Sequence, residues 1–174
     1  MKKLFKNKYM ILGLVLLLAI GTTYSLYVWR NAVEDNTDIS VTINETIKIT
    51  YYKGSDIIGA NIKPVFDKDE GIKKDIQTEL DKNPIGTPTI NFYLDVEELD
   101  DELKNASFKW ELYRNDTKVG YGNFENANIG DKITLLTNQT VVKSKTTYSL
   151  YIWIDANMKN PNTMGDKEFT FKIS

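Results

Sequence analysis

From residue 39 to the end of the chain, no apolar pattern with helical spacing runs long enough to make a helix that could cover a sheet. Apolar residues instead alternate with polar ones in runs of five to nine, and most runs are followed within two residues by Asn, Asp or Gly. A period of two places alternate side chains on opposite faces of a strand. Turn residues at short, regular intervals close hairpins. This pattern predicts strands at ISVTI (Ile39 to Ile43), TIKITYY (Thr46 to Tyr52), TINFYLDV (Thr89 to Val96) and SFKWELYR (Ser107 to Arg114). It predicts further strands at KVGYGNF, KITLLT, TTYSLYIWI and EFTFKIS.

Between the strands, Asn44-Glu45, Lys53-Gly54-Ser55-Asp56 and Asn115-Asp116 read as turns. IIGANIKPVF reads as an irregular strand with a bulge at Gly59 and an edge at Pro64. DKDEGIKKDIQTEL reads as a loop followed by a strand, and EELDDELKN as one or two helical turns ending at Asn105. Gly120 and Gly122 predict a twisted or bulged return strand. Nine or ten strands without a covering helix predict an all-β domain, an antiparallel β-sandwich of the jelly-roll or Ig-like kind.

The first thirty residues are of another kind. Lys2, Lys3, Lys6 and Lys8 precede the apolar run MILGLVLLLAI. That is the layout of an export signal, with small residues at Ala19 and Gly21 for cleavage. The alternative is a signal-anchor transmembrane helix from Tyr9 to Trp29, about 31 Å long at 1.5 Å per residue, with Tyr9 and Trp29 at the two interfaces. On either reading the lysines stay in the cytoplasm and the domain lies outside. The expected organisation is a signal peptide or anchor over 1–30, a polar linker over 31–38 and an extracellular domain over 39–174. The protein is then expected in the cell membrane with its domain outside, or secreted if cut near Gly21.

The chain has no cysteine and no histidine. For an exported chain this points to a cell that does not rely on extracellular disulfides, as a monoderm bacterium. It also removes Ser-His-Asp and Cys-His catalysis, so no enzyme is expected. Omitting the four N-terminal lysines takes the net charge from −2 to −6, which disfavours nucleic acid. Two loops invite a calcium reading: Asp67 to Gly71 and, better, the loop with Asp155, Asn157 and Asp166. Alternating Asp and Asn oxygens suit that ion, and the same residues stabilise turns by bonding their own backbone. No other cofactor is expected. Aromatic residues are abundant over the strands, and those at Trp110, Tyr113, Tyr121, Tyr151 and Trp153 allow a glycan platform as well as a core.

One octapeptide occurs nearly twice, as TTYSLYVW (Thr22 to Trp29) and TTYSLYIW (Thr146 to Trp153). The second copy is apolar on both faces, as a central strand is. The first suits a helix end at a membrane interface, or a strand if the chain is cut near Gly21. Tyr24, Leu26 and Val28 would then be the residues it offers to another subunit.

The lysine-led segment running into YSLYVWR, the FKWELYRND hairpin and the TTYSLYIWID strand together resemble signal-anchored surface proteins of Gram-positive (Firmicutes) bacteria. More distantly, the layout is similar to the TasA/camelysin type of secreted jelly-roll matrix proteins. That resemblance implies a structural or interaction domain, with subunits of a biofilm matrix fibre joined by a donated N-terminal strand. It carries no zinc-protease mechanism into a chain without histidine. The competing expectation is a membrane-anchored module that binds surface polysaccharide.

Overall fold

The structure, a computed structural model, describes residues 39–43, 47–60, 62–80, 86–158, 164 and 167–174. Residues Thr37–Ser174 form one compact unit. Among the described residues there are eleven strands: β1 (Ile39–Ile43), β2 (Ile47–Tyr51), β3 (Asp56–Ala60), β4 (Pro64–Val65), β5 (Ile72–Leu80), β6 (Thr89–Leu99), β7 (Phe108–Arg114), β8 (Thr117–Asn123), β9 (Lys132–Thr140), β10 (Thr146–Asp155) and β11 (Glu168–Ile173). They make two sheets. The larger is ordered β1-β2-β5-β10-β7-β8, and the smaller β3-β11-β6-β9. All pairings are antiparallel except the short β4, which continues beside β10 where β5 ends. The class expected from alternation is therefore observed: all-β and mostly antiparallel, in two sheets.

The core follows from the period of two. On β10, Tyr148, Leu150, Ile152 and Ile154 turn inward and are fully buried. Phe92 and Leu94 of β6 meet them from the opposite sheet, with the Phe92 ring edge-on to Tyr148 at 5.1 Å. At one end of the sandwich, Phe108 of β7 lies 5.1 Å from Phe169 and 6.2 Å from Phe171 of β11. Phe124, just after β8, stacks on Phe171 at 4.7 Å. Such ring pairs add about 0.5–1.5 kcal/mol each beyond the area they bury.

Two of the expected turns form. Asn115 and Asp116 both have positive φ (43° and 68°) and close the β7–β8 hairpin; Asn and Asp tolerate that region, and it matches the twist of the flanking strands. Lys53 and Gly54 also have positive φ (59° and 76°), but there the chain passes from β2 in the large sheet to β3 in the small one. The Asn44-Glu45 turn and the N-terminal segment, with Tyr9, Tyr24, Leu26, Val28 and Trp29, lie outside the described residues. Among the described residues, no helix is long and apolar enough to cross a membrane.

Two local expectations change, and a third holds for another reason. EELDD is not helical from its start, because β6 runs on to Leu99, which is buried and pairs with Phe169. Only Asp101–Leu103 forms a 3-10 turn, tucking Leu103 into the core. Gly59 is not a bulge: it pairs with Phe169 in unbroken register. Glycine is needed there because a Cβ would fall within the Phe169 ring. β8 does carry a shift, leaving Val119 without an opposite residue on β7, but its glycines have a different cause. The Trp110 ring lies over β8, and a Cβ at Gly122 would come within 2.7 Å of the indole Nε1.

Candidate functional site

The outer face of the large sheet carries a set of interacting polar and aromatic side chains. Residues of β10 that alternate with its core positions point there: Ser149, Tyr151, Trp153 and Asp155. Register sets their neighbours. Tyr151 is flanked by Lys73 of β5 and Glu111 of β7, and Glu111 by Tyr121 of β8. The adjacent row reads Asp75, Ser149, Tyr113, Lys118.

Within this patch the Tyr113 and Tyr151 rings meet edge-on at 5.6 Å. Lys68 places its Nζ 5.2 Å from the first ring centre and 4.8 Å from the second. It is held there by the Lys68–Glu70 turn, where the Asp67 carboxylate accepts from the Asp69 N–H at 3.0 Å. That turn closes over β10, and Trp153 is only 7% exposed although it faces outward. Glu111 ties two rows together, accepting from the Tyr113 hydroxyl at 2.7 Å and from Lys118 Nζ at 2.8 Å. Ser149 donates to Asp75 at 2.6 Å.

Each ammonium on this face has a carboxylate beside it: Lys68 with Asp69, Lys73 with Asp75, Lys109 with Asp155, and Lys118 with Glu111. The field is thus locally paired and not focused in one sign. A further lysine turns inward. Lys74 is 8% exposed and donates to the Lys53 carbonyl at 2.6 Å, and loss of solvent lowers its pKa.

Burial works against the Glu111 charge, but hydrogen bonds from Lys118 and Tyr113 outweigh it, and its pKa lies below the ordinary glutamate value. Burial also opposes the Asp155 charge, and the Lys109 bond with the Asn157 amide outweighs it in the same direction. A carboxylate with a depressed folded pKa adds stability above its unfolded pKa of about 4, and this is lost as pH falls through the folded value. The urea midpoint should therefore drop between about pH 5 and 3. The drop should be smaller in a Glu111→Gln, Asp155→Asn double variant. An equal drop in both chains would exclude these two carboxylates as its cause.

The structure brings together two of the three residues read as a calcium loop. The Asp155 Oδ1 accepts from the Asn157 backbone N–H at 2.9 Å and from its Nδ2 at 3.1 Å, which is a turn held by its own side chain. The other oxygen accepts from Lys109 Nζ at 2.7 Å. A cation at this carboxylate must displace that ammonium. Asp166 lies outside the described residues. Among the described residues, no three acidic side chains are grouped to hold a metal ion.

Of the aromatic residues, Phe92, Trp110, Phe124 and Trp153 are buried, while Tyr121 is 77% exposed. The outward direction of Glu111, Tyr113 and Tyr151 follows from alternation alone. That Lys68, 45 residues before Tyr113 and 83 before Tyr151, sits over both rings follows from no local signal. No protein-family model, curated protein or solved structure matches the chain. The fold and this face define a two-sheet β protein with a charge-paired, tyrosine-bearing outer surface.

Proposed function

We propose that the chain is a non-enzymatic cell-surface structural or interaction domain, a subunit of an extracellular matrix fibre. The observation that carries this reading is the role of the second octapeptide. As β10 it is paired on both sides, by β5 and β7, and buries Tyr148, Leu150 and Ile152 in the core. The first copy has Tyr24, Leu26 and Val28 at the equivalent positions. Freed by cleavage near Gly21, it has the side chains to serve as a strand in a neighbouring subunit.

The connectivity supports the same class. Taking β3 and β5 to β11 as eight strands in chain order, the small sheet runs first, eighth, third, sixth, and the large sheet second, seventh, fourth, fifth. That is the order of a jelly roll, with β1 and β2 added as a hairpin on the β5 side. The four N-terminal lysines ahead of the apolar run place this domain outside the cell on the same reading.

A chain starting at Thr22 should form ladders or filaments at raised concentration, while one starting at Asn31 should remain monomeric. Equal behaviour of the two ends the donated-strand reading. A glycan-binding role rests on a different observation, the exposed Tyr121 ring beside the Tyr113–Tyr151 pair. It predicts a monomer whose intrinsic fluorescence shifts with added polysaccharide.

A further inference from the structure

Tyr113 and Tyr151 lie half-buried on the outer face of β7 and β10, at diagonal positions of the register. Diagonal neighbours on one face of a sheet reach each other when their side chains are aromatic. The two rings meet edge-on, with centres 5.6 Å apart. The Tyr113 hydroxyl donates to one oxygen of the Glu111 carboxylate at 2.7 Å, and Lys118 holds the other oxygen at 2.8 Å. Among the described residues this is the one tyrosine hydroxyl that donates to a carboxylate. Tyr52 donates to the Gln77 amide oxygen at 3.0 Å, and the Tyr148 hydroxyl is shared with Thr78 and Arg114.

A phenol that loses one electron carries a positive charge on its ring unless its proton leaves as well. Lys68 Nζ lies 5.2 Å from the Tyr113 ring centre and 4.8 Å from that of Tyr151, and Lys73 Nζ lies 5.7 Å from the latter. Like charges at these distances repel, so here electron and proton must leave together. Tyr113 has its proton acceptor already within hydrogen-bond reach, which is the geometric condition for that transfer. The second phenol stands beside it. Coupling between the rings is then a reaction within one chain, and fixed proximity favours it strongly over an encounter between two chains.

We propose that Tyr113 and Tyr151 are a site of oxidative cross-linking, joined ring to ring by peroxide in one-electron steps, with Glu111 taking the Tyr113 proton. Each phenol gives one electron to the oxidant, a peroxide acting through a haem peroxidase. The Tyr113 proton passes to Glu111 and the Tyr151 proton to water. The two neutral radicals join through the ring carbons next to the oxygen-bearing ones, forming one C–C bond. Each joining carbon then loses its hydrogen as a proton, and each oxygen is protonated again, which restores two phenols. The peroxide accepts two electrons and two protons and leaves as two waters. The product ties two neighbouring strands of the large sheet, in a chain with no cysteine to form a disulfide. The site goes beyond the assembly reading and holds equally for a fibre subunit or a glycan module.

The parent chain carries the first test. The full chain in detergent micelles, treated with hydrogen peroxide and a haem peroxidase, should gain biaryl fluorescence and still run as a monomer on a denaturing gel. Mass spectrometry of its digest should show the peptides of Tyr113 and Tyr151 joined, with two hydrogen atoms lost. Tyr113→Phe and Tyr151→Phe should each abolish that product, and Tyr93→Phe, on the other sheet, should leave it. Glu111→Gln should slow its formation at least about tenfold, as loss of a positioned proton acceptor does. An unjoined Tyr113–Tyr151 pair in the oxidised parent chain overturns the proposal. So does a main product that links separate chains through Tyr121, which is 77% exposed. Equal rates for the parent chain and Glu111→Gln, with matching circular dichroism, overturn it as well.

Discussion

Replacing Phe108 with alanine should cost the domain about 3–5 kcal/mol, the largest single-residue loss expected in this fold. The ring is fully buried, and its centroid lies 4.5 Å from Phe124 and 5.1 Å from Phe169. These neighbours belong to different elements: β11 is in the opposite sheet, and Phe124 follows β8. Phe169 is held by the pairing of β11 with β3 and β6, and the Phe124 N–H donates to the Phe108 carbonyl at 3.0 Å, so the two cannot collapse together into the gap. The cost therefore includes the cavity as well as the lost transfer of the ring from water. In a domain of this size the thermal midpoint should fall by on the order of 10–20 °C. Phe66→Ala is the matched control, because Phe66 is 77% exposed and its loss should stay within about 0.5 kcal/mol. Comparable midpoints for the two variants would mean that Phe108 does not bridge the sheets.

Gly59→Ala should be the second most damaging change, although it adds a single methyl group. That methyl falls within the Phe169 ring directly opposite on β11. Phe169 cannot swing aside freely, because it packs against Phe171 at 4.6 Å and against Phe108. Overpacking of this kind costs about 1–3 kcal/mol, more where the backbone has to move. The adjacent Ile58→Ala points the other way, into solvent, and should leave the urea midpoint unchanged. The contrast between consecutive residues tests the register of β3 itself. If Gly59→Ala is as stable as the parent chain, the close approach of Phe169 is wrong.

Both predictions depend on information that is absent from any short window of sequence. Phe66 and Phe108 are the same residue in similar polar surroundings, and one is bare while the other is enclosed. Alternation gave the inward face of SFKWELYR correctly, so Phe108, Trp110 and Leu112 were legible as core. It could not say that Phe169 and Phe171, sixty residues later, supply the rings they meet. Gly59 is a similar case: an isolated glycine in a strand marks either a bulge or a close neighbour. Only the position of the Phe169 ring decides between them.

The continuation of β6 through Glu97–Leu99 shows the same limit. Its acidic run has the local character of a helix start, and Leu99 pairing with Phe169 overrides that preference. On the outer face, Glu111, Tyr113 and Tyr151 could be assigned a side from sequence. Their assembly with Lys68, Lys73 and Lys118 could not. The Asp155 loop was legible as a turn rich in oxygen ligands, but not as one whose carboxylate is already held by Lys109 on a neighbouring strand.

The sequence by itself determined the class of fold, the places where the chain turns, and the side of each clear strand that faces inward. These depend on periodicity and on the φ preferences of a few residues, which act over two to four positions. Tertiary structure alone decided the order of strands in the two sheets, the partners of each ring, and which strands lie at the sheet edges. Those depend on contacts between residues far apart in the chain. That is why TTYSLYIW could be read as a buried strand, while its place between β5 and β7 could not.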